Sequence, residues 1–137
     1  MTKHALPQDL QQFLDGWQTE SYPKQAFVEL VNGLTSNKEE LDFEFMARPG
    51  ISYSLRIKPL SGERNLLGLI DIIDDDPKQR WLSVCFYADL IQDPEDKGDL
   101  IPGGLLGEDG YCFDLDEYDP GQVAYLQKRF NEASGNV

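Results

Sequence analysis

Apolar and polar residues alternate most strictly between residues 41 and 58. The apolar positions form two sets, Leu41, Phe43, Phe45 and Ala47, then Ile51, Tyr53, Leu55 and Ile57. A period of two is typical of β-strands with one buried face. Arg48, Pro49 and Gly50 separate the two sets, and they predict a hairpin whose three-residue loop holds Gly50 in a left-handed conformation.

The alternation also restricts the register of this hairpin. A two-residue turn at Pro49 and Gly50 would place Phe45 opposite Ser54, mixing apolar and polar side chains on one face. A three-residue loop pairs Ala47 with Ile51 and Phe45 with Tyr53, which keeps both faces consistent. The remaining pairs of this register are Phe43 with Leu55, Leu41 with Ile57, Asp42 with Arg56, and Glu40 with Lys58.

Three further segments are predicted to be strands. Residues 65–74 are apolar at positions on both faces, which predicts a central strand. Residues 81–89 and 111–117 alternate and predict a fourth and a fifth strand. The inner positions of these two strands are Leu82, Val84, Phe86, Ala88, Tyr111, Phe113 and Leu115.

Helical spacing of apolar residues predicts three helices. The first runs from Pro7 to about Gly16. The second starts near Pro23 and ends at Asn32 and Gly33. The third has the clearest start signal, with Asp119 as the cap, Pro120 in the first turn and Gln122 at the capping-box position. The possible cap residues of the second helix are Ser21 and Tyr22.

These elements predict one α+β domain over residues 1–137, with frayed ends at 1–5 and 134–137. Two N-terminal helices and one C-terminal helix are expected to pack on one face of an antiparallel sheet of about five strands. The first residues show no signal or transit peptide, and no apolar run approaches the length of a membrane-spanning helix. We therefore expect a cytoplasmic protein.

Charge changes this picture because it is concentrated in one segment. The chain carries a net charge of -13, and eleven acids against one base, Lys97, give residues 89–119 a net charge of -10. A field of this sign repels nucleic acids and anionic membranes, and it attracts basic proteins. The acids of this segment that we select as a partner-binding surface are Asp93, Glu95, Asp96, Asp99, Glu108 and Asp109.

Two cysteines, Cys85 and Cys112, lie inside predicted strands without Cys-x-x-Cys spacing. Unpaired cysteine is among the most buried residue types, and a disulfide is unusual in a reducing compartment. The sequence therefore predicts two buried free thiols.

The second face of the predicted sheet, opposite the helices, is half apolar. Residues 90–109 lack a clear period, but they include Leu100, Ile101, Leu105 and Leu106, so we expect this segment to form a loop over that face. A second copy of the chain or a ligand are the alternative covers. Asp71 is expected to face Ser83 and either Ser52 or Ser54, where a carboxylate needs hydrogen-bonding partners.

Catalytic and cofactor signals are weak. His4, in the N-terminal tail, is the sole histidine, so no Ser-His-Asp or Cys-His arrangement and no zinc site can be assembled within the fold. The glycines at 103, 104 and 107 do not match a phosphate-binding loop. Asp74, Asp75 and Asp76 form a weak candidate for a hard cation, with Arg80 among the cations that could neutralise them. We assign no cofactor and no metal, and the chain is more consistent with a binding protein than with an enzyme.

The leading hypothesis is a non-catalytic interaction module that presents the selected acids to a basic protein partner, as an inhibitor, an immunity-like protein or a charge mimic would. Trp81 and Tyr87 would supply an adjacent aromatic contact. One alternative is a small-ligand or enzyme domain, in which residues 90–109 close over a pocket. Another is a structural homodimer that uses the same face. The residues of the possible ligand pocket are Asp71, Trp81, Cys85 and Tyr87.

Overall fold

The computed structural model describes residues 7–17, 22–36, 41–60, 65–76 and 78–136. The predicted α+β class is confirmed, with one strand more than expected. The elements in chain order are α1 (Gln8–Gly16), α2 (Tyr22–Thr35), β1 (Leu41–Arg48), β2 (Ser52–Pro59), β3 (Gly68–Ile73), β4 (Trp81–Tyr87), β5 (Asp99–Leu105), β6 (Glu108–Leu115) and α3 (Pro120–Asn136).

The strands form one antiparallel sheet in the order β1-β2-β3-β4-β6-β5. β3 lies between β2 and β4, as its apolar residues on both faces predict, and Ile70 and Ile72 are fully buried. The sheet and the helices enclose one hydrophobic core.

All three helices contact the same face of the sheet. In α1, the Phe13 ring packs 4.2 Å from the Tyr53 ring of β2, and in α3, the Phe130 ring packs 4.6 Å from the Phe86 ring of β4. α2 lies beside α3, because the side-chain amide of Gln127 donates to the backbone carbonyl of Glu29 at 3.2 Å. The prediction that the helices share one side is confirmed.

The start of α3 confirms Asp119 as its cap. Asp119 Oδ1 accepts the backbone N–H of Gly121 at 2.9 Å and that of Gln122 at 3.4 Å. The Gln122 side chain donates to the carbonyl of Asp114 at 3.1 Å, so it does not complete a capping box. The cap therefore depends on Asp119 alone.

Two helix ends differ from the prediction. α2 continues past Asn32 and Gly33 to Thr35, because Leu34 still contributes an apolar side chain to the core. α3 continues to Asn136, whose side chain donates to the carbonyl of Leu90 at 2.9 Å. The helix therefore extends into the segment that was expected to fray, and the fraying of residues 134–137 stays a prediction. Residues 1–5 and Ser21 lie outside the described residues.

The β1–β2 hairpin has the predicted loop length and the predicted faces, but its register differs by two residues. Arg48 pairs with Ser52, and Phe45 pairs with Leu55 rather than with Tyr53. The loop is therefore 49–51, closed by the Ile51 amide donating to the Arg48 carbonyl at 2.9 Å, and Ile51 is exposed rather than on the inner face. Gly50 has φ +84°, which confirms its left-handed conformation.

Residues 90–109 do not form the expected loop. Residues 99–105 are β5, which pairs with β6 and extends the sheet at its edge, and β6 begins at Glu108 rather than Tyr111. The part before β5 lies against α3 on the helix side, where the Gln92 amide donates to Glu132 at 3.1 Å and the Glu95 amide to Tyr125 at 3.3 Å. The expected loop over the second face is therefore wrong.

The prediction of two free thiols is also wrong. Cys85 and Cys112 form a disulfide, and they are directly opposite each other on β4 and β6. Their Cα atoms are 4.2 Å apart, close to the separation of a non-hydrogen-bonded antiparallel pair. Since disulfides are unusual in reducing compartments, this bond does not support the predicted cytoplasmic location.

Within the described ranges, every helix is too short or too polar to cross a lipid bilayer.

Candidate functional site

The second face of the sheet carries a polar row across four strands. Its members are paired strand by strand and are Ser54 of β2, Asp71 of β3, Ser83 of β4 and Asp114 of β6, and the apolar Met46 of β1 lies opposite Ser54. The predicted position of Asp71 between Ser54 and Ser83 is confirmed. Neighbouring strands are roughly 5 Å apart, so Asp71 and Asp114 flank Ser83 at about 10 Å backbone separation.

Asp71 has the unusual environment that the sequence indicates. Burial raises its pKa, and the Ser54 hydroxyl and the charges of Arg56 and Arg48 only partly offset that effect. Its Oδ1 atom is buried and has no hydrogen-bond partner among the described residues. Asp114 of the same row also has a raised pKa, because it is partly desolvated and lies near the negative charges of Asp99 and Asp116. The pKa of both carboxyls therefore lies above the ordinary value of 3.8.

The apolar part of the second face is mostly covered within one chain. Leu67, Leu69, Cys85 and Tyr87 are at most 8 % exposed. The hairpin formed by β5 and β6 contributes to this cover, since a Cβ added at Gly110, directly opposite Tyr87, would lie 3.0 Å from Leu105 Cβ. No partner or ligand is needed to cover these four residues.

Trp81 and Tyr87, which were expected to supply one aromatic contact for a partner, are not neighbours on the sheet surface. They are at opposite ends of β4, roughly 20 Å apart along the strand. Tyr87 is 3 % exposed, whereas Trp81 is partly exposed. Of the two, Trp81 alone is accessible enough to contact a partner.

Asp93 is turned into the protein rather than toward a partner. Its carboxylate accepts the amide N–H groups of Lys97 at 3.0 Å and Gly98 at 2.8 Å, and the Tyr125 hydroxyl donates to it. Burial alone would raise the pKa of Asp93, but these hydrogen bonds outweigh burial and lower it. Asp93 therefore has a structural role, holding the 93–98 segment against α3.

The other selected acids are exposed and lie close together along the chain. We call residues 95–109 the acidic hairpin segment; it contains Glu95, Asp96, Asp99, Glu108 and Asp109, all exposed. The same segment exposes three large apolar side chains, Leu100 at 51 %, Ile101 at 42 % and Leu106 at 57 %. These residues were expected to form a loop over the second face. The signal that was missed is the position of the acids, directly before Leu100 and two residues after Leu106.

Two clefts lie on the helix side. One of about 190 Å³ is lined by Leu30, Leu34 and Phe130 between α2 and α3. The other, of about 340 Å³, lies between α3 and residues 94–97, and it mixes acidic and basic side chains, Glu95, Lys97, Asp119, Lys128 and Arg129. Neither is lined by the predicted ligand-pocket residues Asp71, Trp81, Cys85 and Tyr87.

The aspartates at the end of β3 are not arranged as a cation site. Asp74 accepts the Gly50 amide at 2.9 Å and Arg80 Nε at 2.6 Å, so its carboxylate is already neutralised. Among the described residues, no cluster of three or more metal-ligating side chains is present. Arg80 pairs with Asp74, and its guanidinium lies over three aromatic rings, those of Phe13, Trp17 and Tyr53.

Comparisons with protein-family models, with curated proteins and with solved structures gave no match to this chain.

Proposed function

We propose that the protein is a non-catalytic interaction module that binds a basic protein partner through the acidic hairpin segment. The observation that carries the proposal is the combination of exposed acids and exposed apolar side chains in residues 95–109. Leu100, Ile101 and Leu106 are each more than two-fifths exposed, and acids precede and follow them in the chain.

The electrostatics favour a basic protein over other partners. The segment lies within the part of the chain that carries a net charge of -10, and a field of that sign accelerates encounter with a positively charged surface. Nucleic acids and anionic membranes carry charge of the same sign, so their binding is opposed.

The apolar side chains add affinity that charge alone does not supply. Exposed charges contribute mainly to the rate and specificity of association, because solvent screens them. Exposed apolar side chains beside polar residues are common in protein interfaces. We expect the partner to combine lysines and arginines with an apolar contact for Leu100 and Leu106.

The small-ligand or enzyme alternative stays a prediction, but residues 90–109 are not placed to act as the lid that it requires. Residues 92 and 95 donate to α3 side chains, and β5 extends the sheet at its edge, so residues 90–109 do not lie as a flap over Asp71 and Trp81.

A pull-down with matched charge variants tests the proposal. The test variant replaces Glu95, Asp96, Asp99, Glu108 and Asp109 by the corresponding amides. The control neutralises the same number of exposed acids elsewhere, Asp9, Asp15, Asp75, Asp76 and Glu117. We expect the wild type and the control to retain basic partners that dissociate as salt is raised, and the test variant to lose them.

Two results would contradict the proposal. One is a set of partners no more basic than the background, or partners whose binding does not depend on salt. The other is equal loss of binding in the test variant and the control, which would mean that net charge matters and the hairpin segment does not. Replacing Leu100 and Leu106 by serine then tests the apolar contribution. We expect partners to dissociate faster from this variant than from the wild type.

A further inference from the structure

The two edges of the sheet differ in how well they could accept another strand. β5, at one edge, contains Pro102, a left-handed Gly103 with φ +64° and a register shift between Ile101 and Leu105. Proline and irregularities of this kind block strand addition. β1, at the other edge, runs from Leu41 to Arg48 with no proline, no glycine and no register shift.

The backbone of β1 has free hydrogen-bonding groups on one side. The Arg48 carbonyl accepts the Ile51 amide, so Arg48 and, by alternation, Met46 and Glu44 direct their backbone groups toward β2. The backbone N–H and C=O groups of Phe43, Phe45 and Ala47 then point away from β2, toward the open edge of the sheet. The Ile57 carbonyl, opposite Phe43, supports this assignment, because it accepts the Leu67 amide on the far side of β2. Among the described residues, β1 is hydrogen bonded to β2 alone.

We propose that β1 pairs with β1 of a second copy of this chain, in an antiparallel register centred on Phe45. In this register Phe45 lies opposite the second copy's Phe45, and Phe43 lies opposite its Ala47. The outward-directed N–H and C=O groups of the two strands can then hydrogen bond to each other. Asp42 lies opposite Arg48 of the second copy and Glu44 opposite its Met46. These pairs are of the non-hydrogen-bonded type, in which side chains approach most closely.

The side chains of β1 select this register over its neighbours. Asp42 and Arg48 are both exposed and of opposite charge, so the two-fold symmetry forms two equivalent ion pairs. A register centred on Glu44 would place two copies of Glu44 opposite each other, which is destabilising. A register centred on Met46 would leave Phe43 without a partner, and registers shifted by one residue would mix the two faces and lose the hydrogen bonds.

The pairing extends the proposed function, which does not depend on it. The sheet would continue through both copies, with β5 at each outer edge, so the two acidic hairpin segments would lie on the order of 50 Å apart along the sheet. A basic partner with two sites, or a partner that is itself dimeric, would then bind with higher avidity. Failure of the dimer would leave each hairpin segment able to bind on its own.

Charge exchange at the two positions is the decisive experiment. We expect sedimentation over a concentration series to show a monomer–dimer equilibrium for the wild type. Arg48→Asp and Asp42→Arg, each alone, place like charges opposite each other and should weaken dimerisation by about tenfold or more. The double variant Asp42→Arg/Arg48→Asp restores opposite charges and should restore the wild-type dimer. Glu117→Arg is the matched control and should leave the equilibrium unchanged.

Amide hydrogen exchange by NMR tests the register independently. As concentration rises, the amides of Phe43, Phe45 and Ala47 should gain protection, whereas those of Glu44 and Met46, already bonded to β2, should not change. A protein that stays monomeric throughout the series would overturn the proposal. So would a dimer that neither single charge reversal weakens.

Discussion

The Nε atom of Arg80 lies 2.6 Å from Oδ1 of Asp74, and Asp74 is only 3 % exposed. Asp74 also accepts the Gly50 amide, so this ion pair connects the β1–β2 turn to the segment between β3 and β4. The Arg80 guanidinium carbon is 5.3 to 5.6 Å from the centroids of three rings, those of Phe13, Trp17 and Tyr53. The pair therefore also holds α1 against the sheet.

Replacing Asp74 by asparagine should destabilise the protein strongly. Removing one partner of a buried ion pair leaves the other charge uncompensated, which costs about 3 kcal/mol of unfolding free energy or more. Urea denaturation measures the change. Asp75→Asn, at an exposed neighbour, should change it by no more than about 0.5 kcal/mol. Equal effects of the two variants would mean that the Asp74–Arg80 pair contributes little.

Acid unfolding should depend on Asp74. Burial alone would raise its pKa, but the Gly50 amide and Arg80 outweigh burial and lower it below the ordinary value of 3.8. A group with a lowered folded-state pKa stabilises the protein above its unfolded-state pKa, and this contribution is lost as pH falls through the folded-state value. We expect the stability of the wild type to fall more steeply below a pH of about 4 than that of Asp74→Asn. Parallel pH profiles would contradict this expectation.

Asp71 should show the opposite linkage. Burial raises its pKa above 3.8, so its ionisation on the second face disfavours folding at neutral pH, and that penalty disappears as pH falls below the unfolded-state value. Asp71→Asn should therefore be more stable than the wild type near neutral pH, with the difference shrinking in acid. Asp75→Asn, at an exposed position outside the proposed dimer contact, is the control. A constant difference at all pH values would show that packing, and not charge, is responsible.

The disulfide should contribute substantially to stability. Cys85 and Cys112 are separated by 27 residues in the sequence. Closing a loop of this size lowers the entropy of the unfolded chain and so raises the free energy of unfolding by about 2 to 4 kcal/mol. We expect Cys85→Ser/Cys112→Ser to lose this amount in urea denaturation. A reductant should reproduce the loss in the wild type and have no effect on the double variant. If the wild type is equally stable with and without reductant, the bond does not constrain the chain as we infer.

Gly68 should not tolerate a side chain. A Cβ at this position would lie 2.9 Å from Phe130 Cε1, 3.1 Å from Phe86 Cδ1 and 3.2 Å from the Cys85 carbonyl oxygen. Overpacking of this kind costs about 1 to 3 kcal/mol, so Gly68→Ala should lower the thermal midpoint. Gly16→Ala, where nothing lies within 4 Å of the added atom, is the control and should be neutral or slightly stabilising. A neutral Gly68→Ala would mean that α3 can move away from the sheet.

The alternating pattern of residues 41–58 predicted which side chains share a face. Phe45 and Tyr53 lie on the same side of the sheet, with ring centroids 6.2 Å apart and planes 11° apart. The pattern did not predict their register correctly, because a shift of two residues leaves every side chain on its own face. The position of the turn, closed by Arg48 and Ile51, selects between the two registers.

The start of α3 and the central position of β3 in the sheet were predicted correctly, because both depend on local sequence signals. Asp119 caps the helix through its own side chain, and the apolar residues of β3 need cover on both faces. The Asp71 row follows from the same alternation. For these features, the sequence alone determined the element and the face.

Only the tertiary structure revealed β5, the disulfide and the burial of Asp74 beside Arg80. Residues 99–105, with Pro102 and two glycines, have little strand preference of their own and become a strand by pairing with β6. Cys85 and Cys112 meet because β4 and β6 are neighbours in that register. The alternation of apolar and polar residues indicates which face of one segment is buried. Strand order and pairing depend instead on backbone groups that are distant in the chain. The sequence by itself therefore determined the elements and their faces, and long-range pairing decided which of them meet.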